Sequence, residues 1–147
     1  MPENIRYIRK DELKDLFELY KHMNTDDPEI EENSELCALW ERILNDPNQH
    51  YIVTEVDGRI VSSLVLVIIE NLTRGARPYG LIENVVTHEA YRKRGYGTQL
   101  LKKALEIAQN RGCYKVMLMS GRGEDVLKFY DKAGFERGKK TGFIVRF

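Results

Sequence analysis

Cysteine and histidine are scarce in this chain of 147 residues, with two of the first and three of the second. Cys37 and Cys113 form no CxxC pair, and His22, His50 and His88 are scattered, so the ligand spacing of a zinc site is missing. Two isolated thiols suit a reducing compartment better than a disulfide framework. Long apolar runs are absent as well: the longest, Leu64 to Ile69, falls far short of the roughly 20 residues that cross a bilayer. The opening residues Met1-Pro2-Glu3-Asn4 lack the basic-then-apolar order of a secretory signal. A cytoplasmic protein is expected. An excess of either charge is also missing, since Lys+Arg and Asp+Glu both number 23. Nucleic-acid binding normally draws on a positive excess that displaces counterions. No nucleic acid, membrane or metal partner is expected.

What remains is the composition of a globular domain: 42% hydrophobic and 31% charged residues. No repeat or linker interrupts it, and residues 1–147 read as a single domain. Ile5 to Arg9 alternates as a strand. Asp11 then caps a helix carrying Leu13, Leu16, Phe17 and Tyr20 on one face. A second helix presents Leu36, Leu39, Trp40, Ile43 and Leu44, with Asn33 or Ser34 as its N-cap. Asp57-Gly58 is a two-residue hairpin turn between Tyr51–Val56 and Arg59–Ile69. Leu81 to Thr87 is a strand whose alternation breaks at Glu83-Asn84, the mark of a β-bulge or of burial on both faces. Thr98 to Arg111 is a helix, Tyr114 to Met119 a central strand, and Glu124 to Ala133 a last helix stopped by Gly134. Phe135–Arg137 and Thr141–Phe147 read as terminal strands. Strands and helices in this alternation predict an α+β or α/β domain.

Between a strand and a helix lies Arg92-Lys93-Arg94-Gly95-Tyr96-Gly97. The first turn of a helix offers free N–H groups and partial positive charge. Gly95 and Gly97 allow a tight turn and close approach, and the three cations add charge-assisted contacts at the rim. The pattern fits a pyrophosphate. It is neither a Walker loop nor the dinucleotide GxGxxG, because residue 100 is leucine. A plain glycine-rich turn with solvated cations is the competing explanation.

Three stretches in order resemble the GNAT superfamily of N-acetyltransferases: Val85-Val86-Thr87 closing a strand, Arg92 to Gly97 as the superfamily's [RQ]xxGx[GA] loop, and Lys128-Phe129-Tyr130-Asp131-Lys132-Ala133-Gly134-Phe135 as its late helix-to-strand motif. Ile82 to Val86 and Gly112-Cys113-Tyr114-Lys115 are most similar to glucosamine-6-phosphate N-acetyltransferases. The resemblance implies a mixed, mostly antiparallel sheet of six to seven strands with about four helices, its fourth and fifth strands splayed. It implies acetyl-CoA as co-substrate. The pantetheine arm would pair with Val85, Val86 and Thr87, and the diphosphate would lie on Arg92, Lys93, Arg94, Gly95, Tyr96, Gly97 and Thr98. A primary amine on a small molecule or peptide would attack the thioester directly. Glu83 is the candidate general base, and Tyr130 the candidate acid for the departing thiolate. Ser120-Gly121-Arg122-Gly123 departs from the superfamily, where an asparagine or acidic residue often precedes the last helix.

Two features bear on the acceptor, and they predict opposite ones. The acidic run Asp26, Asp27, Glu29, Glu31, Glu32 and Glu35 would attract a cationic amine, although such runs are more often solvated loops. Arg74 and Arg77, in the loop before Leu81, would instead clamp a phosphate or carboxylate, as on an anionic amino sugar. Two other readings compete with an enzyme: a CoA-binding sensor without catalysis, and a scaffold that dimerises through Phe143-Ile144-Val145.

Overall fold

Asp57 and Gly58 both take left-handed backbone angles, φ 51° and 77°, and reverse the chain at the centre of the computed structural model, which describes residues 3–147. That twist matches the strands they join. Strand β2 (Gln49–Val56) runs antiparallel to β3 (Arg59–Ile69). Strand β1 (Glu3–Tyr7) pairs with the outer side of β2, and β4 (Tyr79–Thr87) with the outer side of β3, both antiparallel. Strand β5 (Val116–Met117) adds to β4 in parallel, giving the order β1-β2-β3-β4-β5.

Among the described residues five helices accompany the sheet, where about four were expected. Helix α1 (Leu13–Tyr20) follows a short 3-10 turn, Lys10–Glu12. Its start is not capped by Asp11, as the sequence predicts. Glu12 Oε1 instead accepts from the Arg9 N–H at 2.7 Å. Helix α2 (Ser34–Asn45) is capped by Asn33, whose Oδ1 accepts from the Leu36 N–H at 2.9 Å. Helix α3 (Thr73–Ala76) is a single turn, α4 (Tyr96–Asn110) the longest helix, and α5 (Glu124–Lys132) the last.

Alternation along the strands sorts the core into two layers. Ile52, Leu64, Leu66 and Ile82 face α4, where Leu100, Leu101, Ala104 and Ala108 meet them. Val53, Ile60 and Val86 face the other way, onto Leu16 and Leu19 of α1 and Trp40 of α2. Trp40 also donates its ring N–H to the Lys10 carbonyl at 2.9 Å. On that side Arg6 makes a two-pronged pair with Glu12, 2.8 Å on each arm, and a third contact to Glu55 at 2.7 Å.

The expected six to seven strands are five. Neither Phe135–Arg137 nor Thr141–Phe147 forms a strand, and β5 covers two residues where six were expected. A strand needs a partner edge as well as β-forming side chains. The tail has none here: Phe143 is 90% exposed, Ile144 71% and Val145 74%.

Candidate active site

Strand β4 contains a dislocation. Ser63 lies opposite Val86 and Val65 opposite Glu83, so Asn84 and Val85 together face one residue of β3. Asn84 takes a left-handed φ of 54° to do so. This is the bulge predicted at the broken alternation, and it leaves Glu83 and Asn84 both exposed. Beyond it β4 keeps company only with β3. Its pairing with β5 is confined to Gly80 with Val116 and Leu81 with Met117. Past those residues the chain leaving β5 is no longer paired with β4, and a cavity of about 650 Å³ fills the wedge between them.

One wall of the cavity is β4 from Ile82 to Thr87, including Glu83, Val85, Val86 and Thr87. Ser62, fully buried on β3, fixes the end of this wall: its hydroxyl donates to the Val86 carbonyl at 3.0 Å and lies 3.0 Å from the Thr87 hydroxyl. The facing wall is Leu118 to Arg122 with Val126, Phe129 and Tyr130 of α5. The start of α4 closes one end. Gly95 reaches φ 86° as the residue before the helix, and the Gln99 N–H makes the first helical bond back to Gly95 O at 3.0 Å. The N–H groups of Tyr96, Gly97 and Thr98 therefore lack helical acceptors and border the cavity. An anion of diphosphate size fits this end on charge and on donors.

The cations of the loop divide their roles. Lys93 borders the cavity at a left-handed φ of 62°. Arg92 also borders it, but its guanidinium is engaged with backbone: Nε donates to Thr87 O at 3.1 Å and Nη2 to His22 O at 2.8 Å. Arg94 does not border it, and its guanidinium lies 5.4 Å over the Tyr91 ring. The Tyr96 ring is buried beside Val56 and Val61, so only its backbone serves the site. Gly97 packs closely on α5: a Cβ there would meet Phe129 Cζ at 3.0 Å, so the ring would have to give by a few tenths of an ångström.

Glu83 and Tyr130 border the same cavity. Burial pushes the Tyr130 phenol up, the Arg122 guanidinium draws it back, and the Glu83 carboxylate adds to the rise. The hydroxyl therefore keeps its proton at neutral pH and can donate it.

Arg74 and Arg77 lie away from the cavity. Arg77 donates to Gly112 O and Cys113 O, each at 3.2 Å, and Arg74 lies 5.9 Å from the Tyr114 ring centre. The acidic stretch 26–35 is exposed throughout and runs as a solvated connection. The sequence reading missed Ser62, Arg122 and the segment His22-Met23, all of which shape the cavity or its wall. The oddity of the Ser120–Gly123 segment was the one signal pointing towards Arg122.

A sequence profile of the "Acetyltransferase (GNAT) family" matches residues 13–135. A glucosamine 6-phosphate N-acetyltransferase of Trypanosoma brucei brucei is 46% identical over 89 residues, covering 57% of this chain and 59% of that protein. A probable glucosamine 6-phosphate N-acetyltransferase of Oryza sativa subsp. japonica is 32% identical over 111 residues, covering 71% of this chain and 66% of that one. The matched part is thus less than two thirds of either relative. A solved structure from Agrobacterium tumefaciens, itself assigned provisionally as an acetyltransferase, superposes with a TM-score of 0.92 at 42% identity, covering 98% of this chain and 99% of that one.

Proposed function

The chain belongs to the acetyltransferase (GNAT) family, and from that premise we propose that it transfers the acetyl group of acetyl-CoA to a primary amine on a small molecule or peptide. One observation carries the reading: the wedge between β4 and β5 ends on the free N–H groups of α4 and holds Glu83 and Tyr130 along its length. The diphosphate is assigned to Lys93 and the backbone of Gly95 to Thr98, the pantetheine arm to the β4 edge at Val85 to Thr87. Acetyl-CoA brings the activated carbonyl. The amine nitrogen attacks that carbon while Glu83, through water, takes the amine proton. Backbone N–H groups near Val85 and Val86 receive the developing oxyanion. The carbon–sulfur bond breaks, and Tyr130 protonates the departing sulfur. Alignment of amine and thioester supplies the largest share, about 7–11 kcal/mol of the barrier.

For the acceptor we take glucosamine 6-phosphate first, on the names of the two curated relatives. Nothing favours the non-catalytic reading. A cytoplasmic location goes with two unpaired thiols, and among the described residues no helix is long and apolar enough to cross a membrane. A homodimer is proposed from the uncovered Phe143, Ile144 and Val145.

The test is release of free thiol from acetyl-CoA with glucosamine 6-phosphate and a panel of other amines. Turnover on at least one amine is expected. Binding of CoA without turnover on any would return the sensor reading. Sedimentation of the same protein, expected at twice the chain mass, checks the dimer.

A further inference from the structure

Two arginines from opposite walls of the cavity grip adjacent carbonyls of one segment. Arg92, from the loop after β4, donates to His22 O at 2.8 Å. Arg122, from the loop after β5, donates to Met23 O at 2.8 Å and reaches Asn24 Oδ1 at 3.5 Å. The segment is the chain leaving α1, where helical carbonyls run out of partners and carry partial negative charge. His22 and Met23 border the cavity.

We propose that Arg122 is a positioning residue: by closing a bridge over the wedge, it holds Met23 as the wall against which the acceptor amine is presented. The inference rests on the acetyltransferase reading above.

The two ends of the bridge are unequal. On the β4 side His22 is held three ways: by Arg92, by the Glu89 N–H donating to its Nδ1 at 3.4 Å, and by the His88 ring, tilted 36° to it with centroids 4.0 Å apart. On the β5 side the Met23 and Asn24 N–H groups turn back to Tyr20 O, both at 3.0 Å, and among the described residues the link across the cavity to this part of the segment is Arg122. Among the described residues it meets no carboxylate within 4 Å, and it borders the cavity. The same guanidinium influences the Tyr130 phenol. One side chain thus keeps the acceptor wall in register with the group assigned to the leaving sulfur. Because β4 and β5 are tied over only two residue pairs, the loops beyond them set the width of the wedge. A bridge spanning those loops links that width to the wall.

The experiment compares full-length wild type, Arg122→Ala and Arg122→Lys by amide hydrogen exchange, with and without CoA. Steady-state kinetics use acetyl-CoA with glucosamine 6-phosphate as the probe amine. In Arg122→Ala, exchange across residues 22–25 is expected to rise about tenfold, with α4 amides unchanged. The KM for the amine is expected to rise about tenfold while CoA affinity stays within twofold, and Arg122→Lys to recover part of both losses, since an ammonium can still donate to Met23 O. Unchanged exchange at 22–25, or equal losses in amine KM and CoA affinity, would overturn the proposal. A wild type that binds CoA but leaves glucosamine 6-phosphate untouched removes that substrate only, and the exchange measurement still decides the bridge. A wild type that binds no CoA removes the acetyltransferase reading and the proposed role together.

Discussion

Tyr130 sits where three influences on one proton meet: burial and the Glu83 carboxylate hold it on, and the Arg122 guanidinium loosens it. Since the net effect raises its pKa, the phenol stays a donor across pH 6–9 and contributes no break in the rate profile there. Tyr130→Phe is expected to lower kcat about 100-fold, to leave CoA affinity within twofold, and to keep the shape of the pH profile between 6 and 9. A variant with wild-type kcat would remove the role. Glu12 makes a second prediction, about stability. The Arg6 hydrogen bond holds its carboxyl below the usual range, against burial and with help from the Arg9 N–H. The stabilisation is therefore complete above the unfolded carboxyl value of about 4.3 and disappears as pH falls through the lower folded value. Glu12→Ala should lose about 3 kcal/mol at pH 7 by urea unfolding, and the gap to wild type should narrow below pH 4. That Tyr130 and Glu83 border one cavity was legible in the sequence because each sits inside or beside a spaced motif. Arg122 was not, because a cation between two glycines in a loop has the same local pattern whether it is solvated or reaches across a cleft to Met23.

At the scale of elements, β4 shows what local pattern can and cannot carry. The broken alternation at Glu83-Asn84 revealed the bulge, since period-two burial fails wherever an extra residue enters a strand. The Asp57-Gly58 turn and the Asn33 cap were likewise readable, each resting on chemistry within a few residues. The terminal strands were not, for Phe143-Ile144-Val145 has β-forming side chains but its edge is decided elsewhere. Arg77 was misjudged for a geometric reason. It precedes the end of β4 that is still paired with β5, on the closed side of the wedge, where its guanidinium is taken up by Gly112 O and Cys113 O. The joint between α4 and α5 yields a third prediction. A Cβ on Gly97 meets Phe129 at 3.0 Å, so Gly97→Val pushes the ring that adjoins Tyr130. It should cost about 1–3 kcal/mol of stability and weaken CoA about tenfold, and also lower kcat. Calorimetry showing unaltered CoA binding in the folded variant would contradict this arrangement.

Across the whole molecule, a ligand that lies in the wedge between β4 and β5 joins parts that few backbone bonds unite. Added at 100 times its dissociation constant, CoA should stabilise the native state by about 2.7 kcal/mol, a rise in Tm of roughly 5–10 °C for a chain of this length. A thermal scan with no shift at saturating CoA would speak against the wedge as the binding place. The ring of Phe129 on Gly97 has a consequence at this scale too. It joins the start of α4 to α5 in one frame, whereas residues 22–33, tied to it through Arg92 and Arg122, form a jaw beside it. A lineage acquiring a new taste in amines is therefore expected to record the change in the jaw and to leave the frame unedited.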